Sequence, residues 1–154
     1  MKKTALITGI TGQTGSYLAK LLIEKKYKVY GIMRRTSAFH GSYRLEQLLD
    51  FNKMLGSNLE LIYGDLTDCS SLESIISKIL PDEIYNMGAQ SHVKVSFELP
   101  VYTSTVNALG TLYILEAIRK LQFKKKIKFY QASTSEMFGN TNDKKLNEDS
   151  YFAP

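Results

Sequence analysis

The chain has a single cysteine, Cys69, so no disulfide framework can form within it. Its only histidines are His40 and His92, too few for a histidine-based metal cluster, and no metal is expected. No stretch of about 18 apolar residues occurs, so no membrane span is expected. Basic residues exceed acidic ones only modestly, 20 against 15. The lysines are scattered, which suits an acidic small ligand such as a phosphate and gives no stripe for nucleic acid. The one basic run, Lys124-Lys125-Lys126, reads as a solvated turn. Cys69 lies in Asp68-Cys69-Ser70-Ser71, a helix start, and reads as structural rather than nucleophilic. No signal peptide precedes the first apolar run, so a cytoplasmic location is the expectation. There is no internal repeat, low-complexity tract or interdomain linker, and 154 residues fit one domain.

What is present is alternation. Thr4-Ala5-Leu6-Ile7-Thr8 is a short apolar run closed by glycine, which reads as a buried strand. Leu18, Leu21 and Leu22 share one face of a following helix. Residues 28–33 form a second strand, Leu45, Leu48 and Leu49 mark a short helix, and residues 59–63 form a third strand. Leu72, Ile75, Ile76, Ile79 and Leu80 repeat at helical spacing until Pro81 ends the pattern. Residues 83–86 are a fourth strand. Val106, Leu109, Gly110, Tyr113, Ile114, Ala117, Ile118 and Leu121 then trace the strongest helix, with Gly110 on its apolar face allowing close packing. Residues 127–132 are a fifth strand, and 139–154 read as a polar loop. Strands alternating with helices imply a parallel sheet covered on both faces.

The turn after the first strand carries the first chemical signal. Thr8-Gly9-Ile10-Thr11-Gly12-Gln13-Thr14-Gly15 closes that strand and opens the first helix, with glycines three apart. Gly9 permits a tight turn, Gly12 lets the backbone approach a pyrophosphate, and Gly15 lets the helix pack closely on the sheet. The free amides and dipole of the helix start favour negative charge. Gly9, Ile10, Thr11, Gly12, Gln13, Thr14 and Gly15 are therefore candidate dinucleotide contacts. Arg34 follows Gly15 by 19 residues at the end of the second strand, with Arg35 next to it. An acidic residue there would hold a ribose 2′-hydroxyl, whereas arginine accommodates a 2′-phosphate, so the pair points to NADP. Gly64-Asp65-Leu66, just after the third strand, is placed to touch the adenine.

The Gly-x-x-Gly-x-x-Gly spacing and Asp65-Leu66 resemble the extended short-chain dehydrogenase/reductase family. Two longer stretches, Gly88-Ala89-Gln90-Ser91-His92-Val93-Lys94-Val95-Ser96-Phe97-Glu98 and Gln131-Ala132-Ser133-Thr134-Ser135-Glu136-Met137-Phe138-Gly139, resemble the GDP-mannose dehydratases within it. The resemblance covers essentially the whole chain. It implies an α/β fold with a Rossmann-like doubly wound parallel sheet, truncated after about five strands, with the small substrate domain absent. Residues 1–154 would form one NADP-binding domain. Met87, Gly88, Ala89, Gln90, Ser91 and Tyr102 would join the cofactor contacts, Gln90 and Ser91 on the nicotinamide side. His92 is read as a positioning residue. The loop 37–44 would help shape the cofactor site and a subunit contact. The family also uses a Tyr-x-x-x-Lys pair. No tyrosine from Tyr17 to Tyr130 has a lysine four positions on, and family spacing puts the pair just beyond Pro154.

By the same resemblance the reaction converts GDP-mannose to GDP-4-keto-6-deoxymannose and water, in deoxyhexose (GDP-fucose or GDP-rhamnose) synthesis. A hydride leaves C4 for NADP, the resulting ketone acidifies C5, water departs from C6, and the hydride returns there. Glu136 matches the family residue that takes the C5 proton, and Thr134 the one that hydrogen-bonds the C4 oxygen. On its residues alone, a Ser/Thr-rich run ending in glutamate reads as a helix capping box. The resemblance implies a homodimer or homotetramer. Two rival readings remain: another extended-family epimerase or reductase, and a noncatalytic NADP-binding fragment. Without the Tyr-x-x-x-Lys pair, the chain by itself is expected to be inactive.

Overall fold

The computed structural model describes residues 2–35, 43–48, 57–140 and 145–154. Five strands form one fully parallel sheet: β1 (Thr4–Thr8), β2 (Lys28–Met33), β3 (Leu59–Tyr63), β4 (Glu83–Asn86) and β5 (Lys128–Gln131). Their order is β3-β2-β1-β4-β5. The chain thus builds outward from β1 in one direction, then returns and builds outward in the other. The reversal lies between β1 and β4, whose registers pair Thr8 with Asn86.

The two-sided burial of β1 explains why it reads as an unbroken apolar run. Successive side chains point to opposite faces. Ala5 and Ile7 enter a core with Ala19, Leu22 and Ile23 of α1 (Gln13–Glu24). Leu6 enters the other core, with Leu72 and Ile76 of α3 (Cys69–Ile79) and Ile114, Ala117 and Leu121 of α6 (Gly110–Leu121). The sheet is therefore doubly wound and Rossmann-like, as the alternation implied. A short α2 (Tyr43–Leu48) buries Leu45 on the α1 side. Leu49 and residues 37–42 of the loop 37–44 lie outside the described residues.

Three differences from the periodicity are informative. The face of α1 that meets the sheet is Gly15, Ser16, Ala19, Leu22 and Ile23, while Leu21 is 47% exposed. Small residues put that helix close to the strands, and a reading keyed to leucines misses them. Next, α4 (Val93–Glu98) was not foreseen, because none of its residues is buried. The long helix also starts earlier than Val106. It opens with α5 (Pro100–Ser104), passes through a π-helical turn (Thr105–Leu109) and continues as α6 without a break in helical backbone. Proline at the first helical position needs no amide partner there. The π turn, with its i→i+5 bonding, shifts the phase of the helix, so Leu109 falls out of the buried face and is 41% exposed. Val106, Gly110, Ile114, Ala117 and Leu121 remain inside. A Cβ on Gly110 would stand 2.9 Å from the Cβ of Leu66, which is the close packing anticipated.

Helix α3 is capped by Asp68, whose Oδ1 accepts from the Ser71 amide at 3.0 Å, and it ends on Leu80 in left-handed conformation ahead of Pro81. Cys69 is exposed at its first position. The lysine run is only partly a solvated turn: Lys124 and Lys126 are exposed, but Lys125 pairs with Asp82 at 2.9 Å. Strand β5 is one residue shorter at each end than read. The described part of 139–154 past Gly139 has neither helix nor strand. It folds back so that the Ala153 amide donates to the Met137 carbonyl at 2.9 Å and Phe152 meets Phe138 edge-on. No described helix is long and apolar enough to cross a membrane.

Candidate active site and dinucleotide cleft

In a parallel sheet all carboxyl ends of the strands fall on one edge. Here that edge carries Thr8, Met33, Tyr63, Asn86 and Gln131, joined by the register of neighbouring strands. A cleft of about 330 Å³ opens there, over the β1–β4 reversal. Open α/β sheets bind ligands at such a point.

The floor of the cleft is backbone. Gly9 has φ +63°, and a Cβ on it would fall 2.7 Å from the Gly88 Cα, so the turns after β1 and β4 touch. The Gly88 amide donates to the Thr8 hydroxyl at 3.0 Å, which locks the two turns together. Gly12 is the N-cap of α1 and has no side chain with which to satisfy the helix amides, and the first turn holds no acid. Those amides and the positive end of the helix dipole are left to an anion. Gly15 acts below the cleft: a Cβ there would come 2.3 Å from the Gly9 carbonyl oxygen. Its role is to bring α1 against the turn.

The walls bring together most of the anticipated cofactor contacts. Gly9, Thr11 and Gly12 line one side, Arg34, Asp65 and Leu66 another. Met87, Gly88, Ala89, Ser91 and Tyr102 complete it. The Arg34 guanidinium donates through Nη1 to the Tyr102 hydroxyl, linking the end of β2 to α5. Asp65 Oδ1 accepts from both the amide and hydroxyl of Thr67 at 2.9 Å, so it also shapes its own turn. Six anticipated contacts do not line the cleft. Ile10 is fully buried in the core beneath Gly31, so only its backbone faces the turn. Gly15 is buried, while Gln13, Thr14, Arg35 and Gln90 lie off the cleft wall.

Gln90 instead serves as a brace. Its amide donates to Asn107 Oδ1 and its carbonyl accepts from Asn107 Nδ2, both at 2.8 Å. Its side chain donates to Thr103 at 3.0 Å and accepts from the His92 amide at 2.8 Å. His92 in turn caps α4, its Nδ1 accepting from the Val95 amide at 3.4 Å, which fits a positioning role.

A second set of polar residues was not assigned a role from the sequence. Asn86, 1% exposed, accepts from the Thr8 hydroxyl at 2.5 Å and donates to Gln131 Oε1 at 2.8 Å and to Thr111 Oγ1 at 3.3 Å. This chain of bonds runs from the glycine turn to the last residue of β5. The available signal was Asn86 itself, an amide closing the strand Glu83–Asn86 directly after Ile84 and Tyr85. The cleft also uses Gly64, the first residue of the Gly64-Asp65-Leu66 turn, and Ile32, Met33 and Val106, which carry no motif.

Beyond Gln131 the chain turns into a 3₁₀ helix (Ser135–Phe138), with Thr134 as its N-cap accepting from the Glu136 amide at 3.2 Å. Thr134 thus caps this turn, but Glu136 is its second residue and not the third, the position that the glutamate of a capping box takes. A threonine oxygen that accepts one bond still has its proton to donate. Thr134 and Glu136 do not line the cleft, but they follow β5 on the same sheet edge, and both are exposed. Among the described residues, no group of three or more His, Cys, Asp or Glu is gathered to hold a metal.

Comparison with known proteins agrees with this geometry. A family model for GDP-mannose 4,6 dehydratase matches residues 6–154. The chain is 54% identical over 153 residues to the GDP-mannose 4,6-dehydratase of Vibrio cholerae serotype O1, covering 99% of this chain and 41% of that protein. It is 54% identical over 153 residues to that of Drosophila melanogaster, covering 99% and 38%. The chain thus spans about two-fifths of the length of the curated relatives it matches. Among solved structures, the UDP-glucose-4-epimerase from Stenotrophomonas maltophila with bound NAD superposes with a TM-score of 0.79 at 16% identity, over 98% of this chain and 43% of that one. That likeness is one of fold. The match of the family model over nearly all its residues, with relatives of half-identical sequence, establishes that the chain belongs to the GDP-mannose 4,6-dehydratase family.

Proposed function

We propose that residues 1–154 are the NADP-binding part of an enzyme that dehydrates GDP-mannose to GDP-4-keto-6-deoxymannose. The observation that carries this reading is the shared sheet edge: the glycine turn of β1 and the Thr134–Glu136 segment after β5 both leave the sheet there. Family membership supplies the substrate class.

The residues fit a nicotinamide dinucleotide. The uncapped start of α1 takes the pyrophosphate on its amides, and the glycine contact between Gly9 and Gly88 keeps the floor flat enough for it. Arg34 takes a 2′-phosphate, which favours NADP. Asp65 and Leu66 flank the adenine, and Ala89 and Ser91 the nicotinamide side. Bound there, the cofactor supplies a hydride acceptor that also returns the hydride. Thr134 donates its hydroxyl proton to the C4 oxygen, a bond that strengthens as negative charge develops on that atom. Glu136 takes the C5 proton and passes a proton to the departing C6 hydroxyl. The oxidised C4 makes the C5 proton removable because the resulting carbanion is delocalised as an enolate. A cytoplasmic, deoxyhexose-forming role accords with this chemistry.

The test is incubation of the complete enzyme that contains residues 1–154 with NADP and GDP-mannose, followed by NMR and mass analysis of the sugar nucleotide. Loss of one water to a 4-keto-6-deoxy sugar, without net NADPH consumption, is the expected result. A product with C6 unchanged overturns the proposal in favour of an epimerase or reductase.

A further inference from the structure

The Arg34–Tyr102 hydrogen bond links two residues that line the cleft, one just after β2 and the other on α5. Resting on the NADP reading above, we propose that Tyr102 is a specificity-determining residue that acts through Arg34: its hydroxyl aims the guanidinium at the 2′-phosphate and so sets the preference for NADP over NAD.

Three features support this. First, Tyr102 is itself held firmly. Its ring packs against the core on the α6 side, and α5 is tied down by the bond from the Gln90 side chain to Thr103 and by the Thr103 hydroxyl on the Leu99 carbonyl. Arg34, by contrast, is exposed at a strand end. A free arginine side chain carries rotamer entropy that is lost when an anion binds it. Anchoring the guanidinium on a fixed phenol removes part of that loss beforehand.

Second, the anchor is neutral. Among the described residues Arg34 makes no ion pair. A carboxylate in the place of Tyr102 would hold the side chain equally well, but it would compete with a phosphate for the positive charge. A phenol oxygen accepts one N–H and leaves the charge unsatisfied. The guanidinium has five N–H donors in a planar fork, so one spent on Tyr102 leaves enough for a two-bond contact with phosphate oxygens.

Third, both groups line the cleft, and Arg34 directly follows β2, where a ribose 2′ substituent is read in sheets of this kind. The effect should be confined to the 2′ position of the adenosine ribose. NAD has a hydroxyl there and gives the aimed guanidinium no charge to meet.

The experiment measures equilibrium binding of NADP⁺ and NAD⁺ to the full chain carrying Tyr102→Phe, Arg34→Ala or both, with 2′,5′-ADP and 5′-AMP as fragment probes. Phe keeps the ring and its packing, so the fold is retained, and circular dichroism checks this. Tyr102→Phe is expected to weaken NADP⁺ and 2′,5′-ADP about tenfold, the scale of one hydrogen bond to a charged group, and to leave NAD⁺ and 5′-AMP unchanged. In the Arg34→Ala background the same substitution should then do nothing further, because the residue it acts through is gone. Equal weakening of NADP⁺ and NAD⁺, no weakening of either, or full additivity with Arg34→Ala overturns the inference. A preference for NADP⁺ that survives Arg34→Ala also overturns the inference, whereas a wild-type chain with no preference for NADP⁺ removes the NADP reading itself, an outcome distinct from the others.

Discussion

Asp82 lies at the opposite edge of the sheet from the cleft, and its replacement by asparagine gives a stability test that can be worked from the structure. Its carboxylate accepts from the Thr4 amide at 2.7 Å, from the Thr4 hydroxyl at 2.9 Å and from Lys125 at 2.9 Å. Its backbone amide donates to the Thr4 carbonyl at 2.9 Å, and its carbonyl accepts from the Lys128 amide at 3.0 Å. One residue thus joins the starts of β1, β4 and β5. The bond from Lys125, followed by that from the Thr4 amide, holds the carboxyl down from 3.8 to about 2. A folded pKa below the unfolded one stabilises the protein above the unfolded value, and the contribution disappears as pH falls through the folded value. The window is therefore from about pH 4 down to about pH 2. A depression of that size corresponds to a ceiling of about 2.4 kcal/mol. The side chain is 35% exposed, so solvent screening brings the expectation down to roughly 1 kcal/mol. Asp82→Asn keeps an oxygen for Thr4 and loses the charge facing Lys125. Urea unfolding at pH 7 should show the variant less stable by roughly 1 kcal/mol, with the two curves converging by about pH 2. A gap that stays constant across that range, or no gap at pH 7, would refute the ion-pair account.

Two further substitutions test the site itself. Gly15→Ala puts a Cβ 2.3 Å from the Gly9 carbonyl oxygen and 2.9 Å from the Ile10 Cα, both backbone, so α1 must move away from the turn. Thermal unfolding should reveal a loss of about 2–3 kcal/mol and titration a weakened dinucleotide affinity, while an unchanged affinity would place the nucleotide elsewhere. Glu136→Gln should cut kcat on GDP-mannose by about 10²–10⁴ with the NADP⁺ dissociation constant unchanged, since its side chain lies off the cleft. Near-normal turnover would remove Glu136 from the proton transfers.

Sequence reading succeeded where the signal is local. Strand β1 was readable because a strand buried on both faces leaves no choice of composition, whereas β2 to β4 are only partly buried and were bounded by the glycine, proline and polar residues that flank them. The glycine turn was readable because Gly12 and Gly15 meet the Gly9 carbonyl within the turn and Gly9 itself takes φ +63°, while the contact of Gly9 with Gly88 leaves no local signal. The cleft contacts of Ala89, Ser91 and Tyr102 came from resemblance, not from pattern. The features that escaped are non-local or unpacked. Helix α4 buries nothing, so no periodicity marks it; it is set by the His92 cap and by Leu99 and Pro100 behind it. The π turn leaves no trace in residue type and is visible only as Leu109 falling out of phase. The bond between Lys125 and Asp82 spans 43 residues, and that between Thr8 and Asn86 spans 78; no window of sequence contains either pair.

That last bond bears on how the two halves of the site are kept in step. Thr8 sits under the glycine turn, Gln131 directly before the segment with Thr134 and Glu136, and Asn86 between them bonds to both. The arms are unequal. The Thr8 arm also holds the Gly88 amide, so it shapes the cleft floor, whereas the Gln131 arm shapes only the exit from β5. Gln131→Met removes the second arm, and Asn86 Nδ2 still has Thr111 at 3.3 Å. It should lower kcat several-fold by loosening the aim of Thr134 and Glu136 while NADP⁺ binds as before. Asn86→Leu removes both arms and strands the Thr8 hydroxyl in a buried site. A loss of about 2–3 kcal/mol in urea unfolding is expected, together with weaker NADP⁺ binding and lower kcat. If Gln131→Met disturbed nucleotide affinity as much as Asn86→Leu does, the two arms would not be separable, and the buried amide would be holding the whole sheet edge as one piece rather than registering one half against the other.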